Sequence, residues 1–410
     1  MVRPERRTRG DIVAAVAIIA IVAVAAVAIW WTSDARATLS QPAATPSTSV
    51  PPAGEVPDEL RELWAAPSAA TTMPVVASGT VVTGDGRTVH GRNPDTGEPV
   101  WTYARDLDLC GVTWIYQYAV AVYPDVRGCG QVSTIDASTG RRGPSRTGYA
   151  DKRVELSSDG TVALATGATR LELWRSDMVR VIGYGEVDAR VKPNHTGVGK
   201  GCTILSAAAS PSAVSLLQTC AGEADVRLTL LRPGKDDDEP ELRDIPQAGV
   251  PSSAGPRVLA VSDTNTAVYL PTPKPRVSVV NDVGTETSST PVSAPPSMAD
   301  PESSVTRAGS LVTWWTGRSV MVFNSDKLTH KYTVNAEENI VPLGPATIMA
   351  DKLLIPVTGG VGVYDVSDGH LERVIDVERR GMESGVGVIV PTVVGATLLE
   401  QRGRTLVALG

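Results

Sequence analysis

The residues with the clearest chemical meaning in this chain are four cysteines in two closely spaced pairs. Cys110 and Cys129 lie 19 residues apart, and Cys202 and Cys220 lie 18 apart. Four thiols allow three pairings. The histidines, His90, His195, His330 and His370, are scattered and show no metal-ligand spacing. Each reads as a surface or strand residue. The run Asp236-Asp237-Asp238-Glu239 reads as a solvated loop rather than a hard-cation site. Gly197-Val198-Gly199-Lys200-Gly201 resembles a phosphate loop, but that motif needs Ser or Thr after the Lys, and Gly201 stands there. No Gly-x-Ser-x-Gly elbow and no Cys-x-x-Cys-His haem attachment occurs. Asn194-His195-Thr196 fits a glycosylation sequon. No catalytic, metal or cofactor residue is assigned, and the expectation is a protein that is not an enzyme.

The elements that position these residues repeat. After residue 74 the chain shows eight paired apolar segments, each an extended run, a tight turn and a second run. They are 80–93 (TVVTGDG-RTVHGRN), 118–136, 161–175, 212–231, 266–281, 310–324, 352–365 and 396–410. The second runs begin at 87, 131, 170, 226, 276, 318, 361 and 404. A step of roughly 45 residues built from strands is the signature of propeller blades. The fold class is therefore all-β: one β-propeller of about eight four-stranded blades over residues 58–410, or seven if one hairpin is an insertion. Gly84-Asp85-Gly86, Thr358-Gly359-Gly360 and Arg402-Gly403 supply the positive φ angles that tight hairpins need.

Within that frame each cysteine pair falls in one repeat. The first Cys precedes the innermost strand and the second is expected in the loop after the next strand. Those two loops emerge on the same face of an up-and-down blade, so disulfides Cys110–Cys129 and Cys202–Cys220 are reasonable. An oxidising compartment permits them.

Asn93-Pro94-Asp95-Thr96-Gly97-Glu98-Pro99-Val100-Trp101 resembles the repeat of PQQ-like (pyrroloquinoline quinone) β-propellers. Asp136-Ala137-Ser138-Thr139-Gly140 matches that repeat again, and Asp365-Val366-Ser367-Asp368-Gly369 more loosely. The Asp or Asn caps the turn, Gly takes the left-handed position, and Trp packs between blades. Arg232-Pro233-Gly234, Asn281-Asp282-Val283-Gly284 and Asn324-Ser325-Asp326 keep only the turn character. The resemblance implies a quinone site in the catalytic members, with Trp facing a disulfide of adjacent cysteines and carboxylates near calcium. Trp114, Trp174, Trp314 and Trp315 offer rings, but no two cysteines here are adjacent. The resemblance thus points to a non-catalytic member, and the Ala-, Val-, Gly- and Arg-rich composition with a single Phe (Phe323) suggests a high-GC, actinobacterium-like genome.

The ends of the array complement one another. The last repeat stops after its inner strands, while Glu59-Leu60-Arg61-Glu62-Leu63-Trp64 looks like an outer strand that would complete it. Closure of the ring would remove exposed sheet edges. The intervals around 191–203, 232–256 and 293–305 read as surface loops.

Ahead of the body, residues 12–31 form an uncharged apolar run. At about 1.5 Å per residue it spans about 30 Å, the thickness of a bilayer core. Arg3, Arg6, Arg7 and Arg9 precede it in residues 1–11, so the positive-inside rule keeps that tail cytoplasmic and the rest outside. Trp30 and Trp31 suit the outer interface. Ala35-Arg36-Ala37 also matches a signal-peptidase site, but the apolar run exceeds the usual signal core of about 7–15 residues. Residues 32–57, rich in Pro, Ser and Thr, read as an extended tether that lifts the body off the membrane.

The formal net charge is −7, with +2 on residues 1–11 and hence −9 on the remainder. An acidic body lacks the basic footprint of a nucleic-acid binder. The expectation is a single-pass, membrane-tethered, extracytoplasmic scaffold that binds an envelope or membrane protein. Alternatives are a sensor of an envelope glycan or small ligand and, behind that, a degenerate PQQ-dependent dehydrogenase.

Overall fold

The computed structural model describes residues 8–33, 36–187, 198–237, 239–293, 304–379 and 387–410. Residues 1–7, with Arg3, Arg6 and Arg7 of the basic tail, fall outside it, as do the sequon, His195 and Asp238. Among the described residues the β-strands form eight antiparallel sheets. Seven have four strands and one has five. They are the blades of a propeller: residues 75–105, 111–147, 155–185, 202–246, 257–291, 305–334, 347–376 and 389–409 provide blades 1 to 8. Within each of these ranges the strands lie in chain order from the central channel outward. All eight hairpins read from the sequence are the second and third strands of successive blades.

The ring closes as the sequence suggests. Strand Glu62–Pro67 pairs with Thr405–Leu409, Trp64 opposite Ala408 and Pro67 opposite Thr405, and becomes the outer strand of blade 8. A buried network fastens the seam: Gln401 Nε2 donates to the Ser68 carbonyl at 3.1 Å, and Thr71 Oγ1 donates to Gln401 Oε1 at 3.1 Å. The core is distributed rather than central. Val- and Leu-rich faces of neighbouring blades bury each other, as Val268 and Leu270 of blade 5 do with Leu228 and Leu217 of blade 4.

Up-and-down strands give the disc two unlike faces. One carries the loops between first and second and between third and fourth strands, all short. The other carries the hairpin loops between second and third strands and the longer blade-to-blade connections.

Two expectations change. Residues 232–256 were expected as a loop, yet Arg232, Pro233 and Gly234 lie in strand Arg227–Asp236, and Glu239–Pro246 is the outer strand of blade 4. The ladder tolerates Pro233 because the register shifts between Arg232 and Asp236. Cys202 likewise opens strand Cys202–Ser210 rather than lying in a loop.

The segment expected as a free tether is held to the disc. Strand Thr38–Gln41 adds to the outer edge of blade 1, with Thr38 opposite Arg105 and Gln41 opposite Thr102. Beyond it, the Ala43 N–H donates to Thr139 O at 2.9 Å and the Ser47 N–H to Ser138 O at 2.8 Å. Thr48 and Val50 then press against Gly79 and Gly395, leaving neither room for a Cβ. Arg373 Nη2 donates to Val56 O and Pro57 O, and its Nη1 meets Asp58 at 2.9 Å. Residues 38–58 thus form a strap that runs from the rim of blade 1 across the short-loop face to blade 7.

The N-terminal helix Arg9–Trp31 is capped by Thr8, whose hydroxyl accepts from the Asp11 N–H while the Asp11 carboxylate accepts from the Thr8 N–H. Its side chains bury against no part of the body. By length and composition it is able to cross a membrane.

Candidate functional site

Three clusters bear on function: the disulfide-bearing loops, the turns at the blade seams, and the central channel.

Both disulfides form, Cys110–Cys129 and Cys202–Cys220. Their positions within the blades differ from expectation. Cys129 belongs to the third strand of blade 2, Gly128–Asp136, and Cys220 ends the second strand of blade 4 directly opposite Cys202. Both bonds sit at the long-loop end of their blades, so the expected common face holds. The Cys129 N–H also donates to Asp151 O at 2.9 Å, which ties the connection between blades 2 and 3 to the same staple. Loops fixed in this way lose less entropy when a partner orders them.

The turn motif works as a seam lock. In blade 1, Asn93 Oδ1 accepts from the Asp95 and Thr96 N–H groups at 2.9 and 3.1 Å, and Gly97 takes φ 71°. In blade 2, Asp136 Oδ1 accepts from the Thr139 N–H and from the Ser138 and Thr139 hydroxyls. Burial raises the Asp136 pKa, but those donors outweigh it and hold the carboxyl below its ordinary value. In blade 7, Asp365 Oδ1 accepts from the Ser367 N–H and hydroxyl, and Gly369 takes φ 76°.

Each turn receives an aromatic ring from the blade before it. Trp101 of blade 1 donates to Ala137 O at 2.7 Å, and its ring fills the space a Cβ at Gly140 would need. Trp64 of blade 8 treats Pro94 O and Gly97 in the same way, at 2.8 Å. Tyr332 of blade 6 completes the set on Val366 O and Gly369, at 2.9 Å. Sequence reasoning found the Trp101 case but not Tyr332, because a tyrosine there breaks the motif's spelling while keeping its geometry.

The seams also hold two buried carboxylates that the sequence did not flag. Glu172 in blade 3 meets Arg146 of blade 2 at 2.8 Å and Arg170 at 2.7 Å, and accepts from the Trp174 indole at 2.9 Å. Burial alone would raise its pKa; Arg146 and Arg170 reverse the sign and keep it ionised. Glu400 in blade 8, with no exposure, meets Arg379 at 2.7 Å and Arg402 at 2.7 Å. Arg379 also donates to Val357 O and Gly360 O, so one guanidinium fixes the connection between blades 7 and 8.

The central channel contains a cavity of about 330 Å³ on the side of blades 3 to 6. Ser157, Ser206, Thr306, Arg257 and Arg307 supply its polar wall; Leu205, Val258 and Val305 supply the apolar one. Arg307 Nη2 donates to Val261 O at 2.6 Å.

The remaining candidates are accounted for locally. His90 contacts the Thr102 hydroxyl at 3.1 Å, and His330 contacts the Thr333 hydroxyl at 2.9 Å. Asp237, from the acidic run, accepts from Arg180 Nε at 2.9 Å. Trp314 packs on Tyr269 at 5.2 Å between centroids, Trp315 donates to Pro342 O, and Trp114 backs Gly160. A quinone clamp does not fit these residues. Each disulfide joins cysteines 18 or 19 apart, and the indole of Trp174 is committed to Glu172.

No protein-family description matches the chain, and no curated protein matches its sequence. Among solved structures, the C-terminal WD40 domain of Sif2 superposes with a TM-score of 0.53 at 10% identity, covering 87% of this chain and 99% of that one. The fold is an eight-bladed β-propeller. The computationally designed Ika8 protein gives a TM-score of 0.52 at 13% identity, covering 85% of this chain and 98% of that one. BamB from Moraxella catarrhalis gives 0.49 at 14% identity, covering 85% and 99%. Propellers host many functions, so function has to be argued from the surfaces described above.

Proposed function

We propose that this chain is a non-enzymatic, PQQ-like propeller of the cell envelope, anchored by one transmembrane helix with its body outside the cytoplasm, where it holds a protein partner. The observation that carries this reading is the unequal furnishing of the two faces. The short-loop face is crossed by the chain's own strap. The opposite face carries both disulfides and, among the described residues, the ends of the blade-to-blade connections. Recognition tends to reside on loops held by a rigid scaffold, and disulfides make such loops costlier to deform. Disulfides also favour an oxidising compartment, in keeping with an exported body.

Photo-crosslinking amino acids at exposed positions of the two faces test this reading in cells. Lys274 and Arg404 serve the disulfide face, and Val283 the strap face. One protein adduct shared by the first two positions and missing from the third is expected. Adducts at Val283 alone would overturn the assignment.

The channel cavity favours one second reading, a binder of a small ligand such as an envelope glycan fragment. At about 330 Å³ it has the size of a small-molecule site. Native mass spectrometry of the gently purified protein distinguishes the two: a reproducible small-molecule mass supports ligand binding, and a bare mass counts against it.

A further inference from the structure

We infer that the blade 1–2 corner of the disulfide face rests against the bilayer that holds the anchor, with anionic lipid headgroups as its partner. This inference rests on the anchor reading above.

The first argument is reach. Because Thr38 is already paired with Arg105, only six residues, 32–37, separate the helix from the propeller in the sequence. The path from Trp31 to Thr38 spans at most about 25 Å fully extended. The real reach is shorter, because the Arg36 guanidinium stacks over the Trp31 ring at 4.1 Å. Only residues 37 and 38 then lead from that contact to the propeller. The segment 32–57, which reads as a long spacer, leaves only a short leash once the strap is held to the disc.

The second argument is direction. Strand Thr38–Gln41 starts at the disulfide-face end of blade 1 and runs toward the strap face. The neighbouring outer strand, Pro99–Arg105, has seven residues and spans about 24 Å at 3.4 Å each. Laying the strap face on the bilayer would lift Thr38 by that thickness, which consumes the whole leash. Resting the blade 1–2 corner of the disulfide face there leaves Thr38 at the bilayer and uses none of the leash, with the hairpins of blades 5 and 8 still open to a partner.

The third argument is the chemistry of the corner. Val126, at the tip of the blade 2 hairpin, is fully exposed at 101%. Lys152 and Arg153 beside it are exposed, and Arg127 follows it in the chain. The hairpin and the 148–154 connection are held together by the Cys110–Cys129 disulfide and the Cys129 to Asp151 backbone bond. Of the local acids, Asp151 accepts from the Thr169 and Arg170 N–H groups, Asp125 is paired with Arg127, and Asp106 and Asp108 with Arg87, while Asp85 and Glu155 are exposed; Lys152 and Arg153 carry the basic side of the corner. An apolar tip beside Lys152 and Arg153 suits a headgroup layer, where basic residues are drawn to an anionic surface.

The test uses the full chain in vesicles of phosphatidylcholine with phosphatidylglycerol, carrying a benzophenone amino acid at position 126 or at 283. Lipid adducts are expected at 126 and not at 283, and K152A/R153A should remove most of the adduct at 126. Alkaline extraction of the same vesicles reports on the anchor separately. A chain that resists extraction yet shows no lipid adduct at 126, or shows one at 283, overturns the orientation while leaving the anchor intact. An undiminished adduct in K152A/R153A overturns the headgroup attraction. Release by alkali removes the anchor reading, and the proposal falls with it.

Discussion

The indole N–H of Trp101 donates to the carbonyl of Ala137 in the next blade, at 2.7 Å, while its ring lies over Gly140. Trp101 is 2% exposed. One side chain therefore provides packing, a hydrogen bond and a steric requirement for glycine at the seam. Trp101→Ala should cost about 3–5 kcal/mol through the lost contacts and the cavity. Trp101→Phe keeps much of the packing and leaves the Ala137 carbonyl short of a donor, costing about 1–3 kcal/mol. Gly140→Ala should be destabilising despite its small size. Denaturant midpoints of the three variants check this order.

Glu400 is held by Arg379 and Arg402 with no exposure of its own. Removing one partner of a buried pair typically costs about 3–5 kcal/mol, because the other charge stays buried. Glu400→Gln should show a loss of that size in a denaturant titration. Arg379→Gln should in addition raise hydrogen exchange in the neighbouring segments of blades 7 and 8, because the same guanidinium caps Val357 O and Gly360 O.

Each disulfide closes a loop of roughly 20 residues, for which the chain-entropy model gives about 3 kcal/mol. Cys202→Ala with Cys220→Ala should lower the unfolding midpoint accordingly. The purified wild-type protein should show no titratable thiol under denaturing, non-reducing conditions.

Acid should weaken the fold through its histidines. His90 is pushed below its ordinary value of 6.5 by burial and then by the nearby Arg92, and His330 is pushed down by burial. The folded state thus holds fewer protons than the unfolded one. Stability is complete above the unfolded pKa of about 6.5 and falls as pH drops through the lower folded values. His90→Gln with His330→Gln should flatten the stability profile below about pH 6.5. A thermal-unfolding series across that range measures it.

The architecture was legible because blades repeat a local message. Alternating Val and Leu, a Gly turn and a second run recur in all eight hairpins, so drift in one blade does not hide the pattern. The closing strand was legible for the same reason, since Glu62-Leu63-Trp64 spells an outer strand. What escaped was non-local. Thr38–Gln41 is polar and exposed and pairs through its backbone alone, so its composition reads as linker. Glu172 and Glu400 look like ordinary strand residues until Arg146 and Arg379 arrive from another blade or loop. Tyr332 replaces a tryptophan without changing the seam. Partner identity was not legible because the faces are built from loops, whose residues answer to the partner rather than to the fold.

The most direct measurement of the scaffold role is an in-cell crosslink of the full-length protein, followed by membrane purification and mass spectrometry. The anchor is also exchanged for an unrelated transmembrane segment. A near-stoichiometric envelope or membrane protein that persists after the exchange is the expected result, and it places the contact on the propeller. Recovery of the intact protein with no companion in either form would contradict the scaffold role.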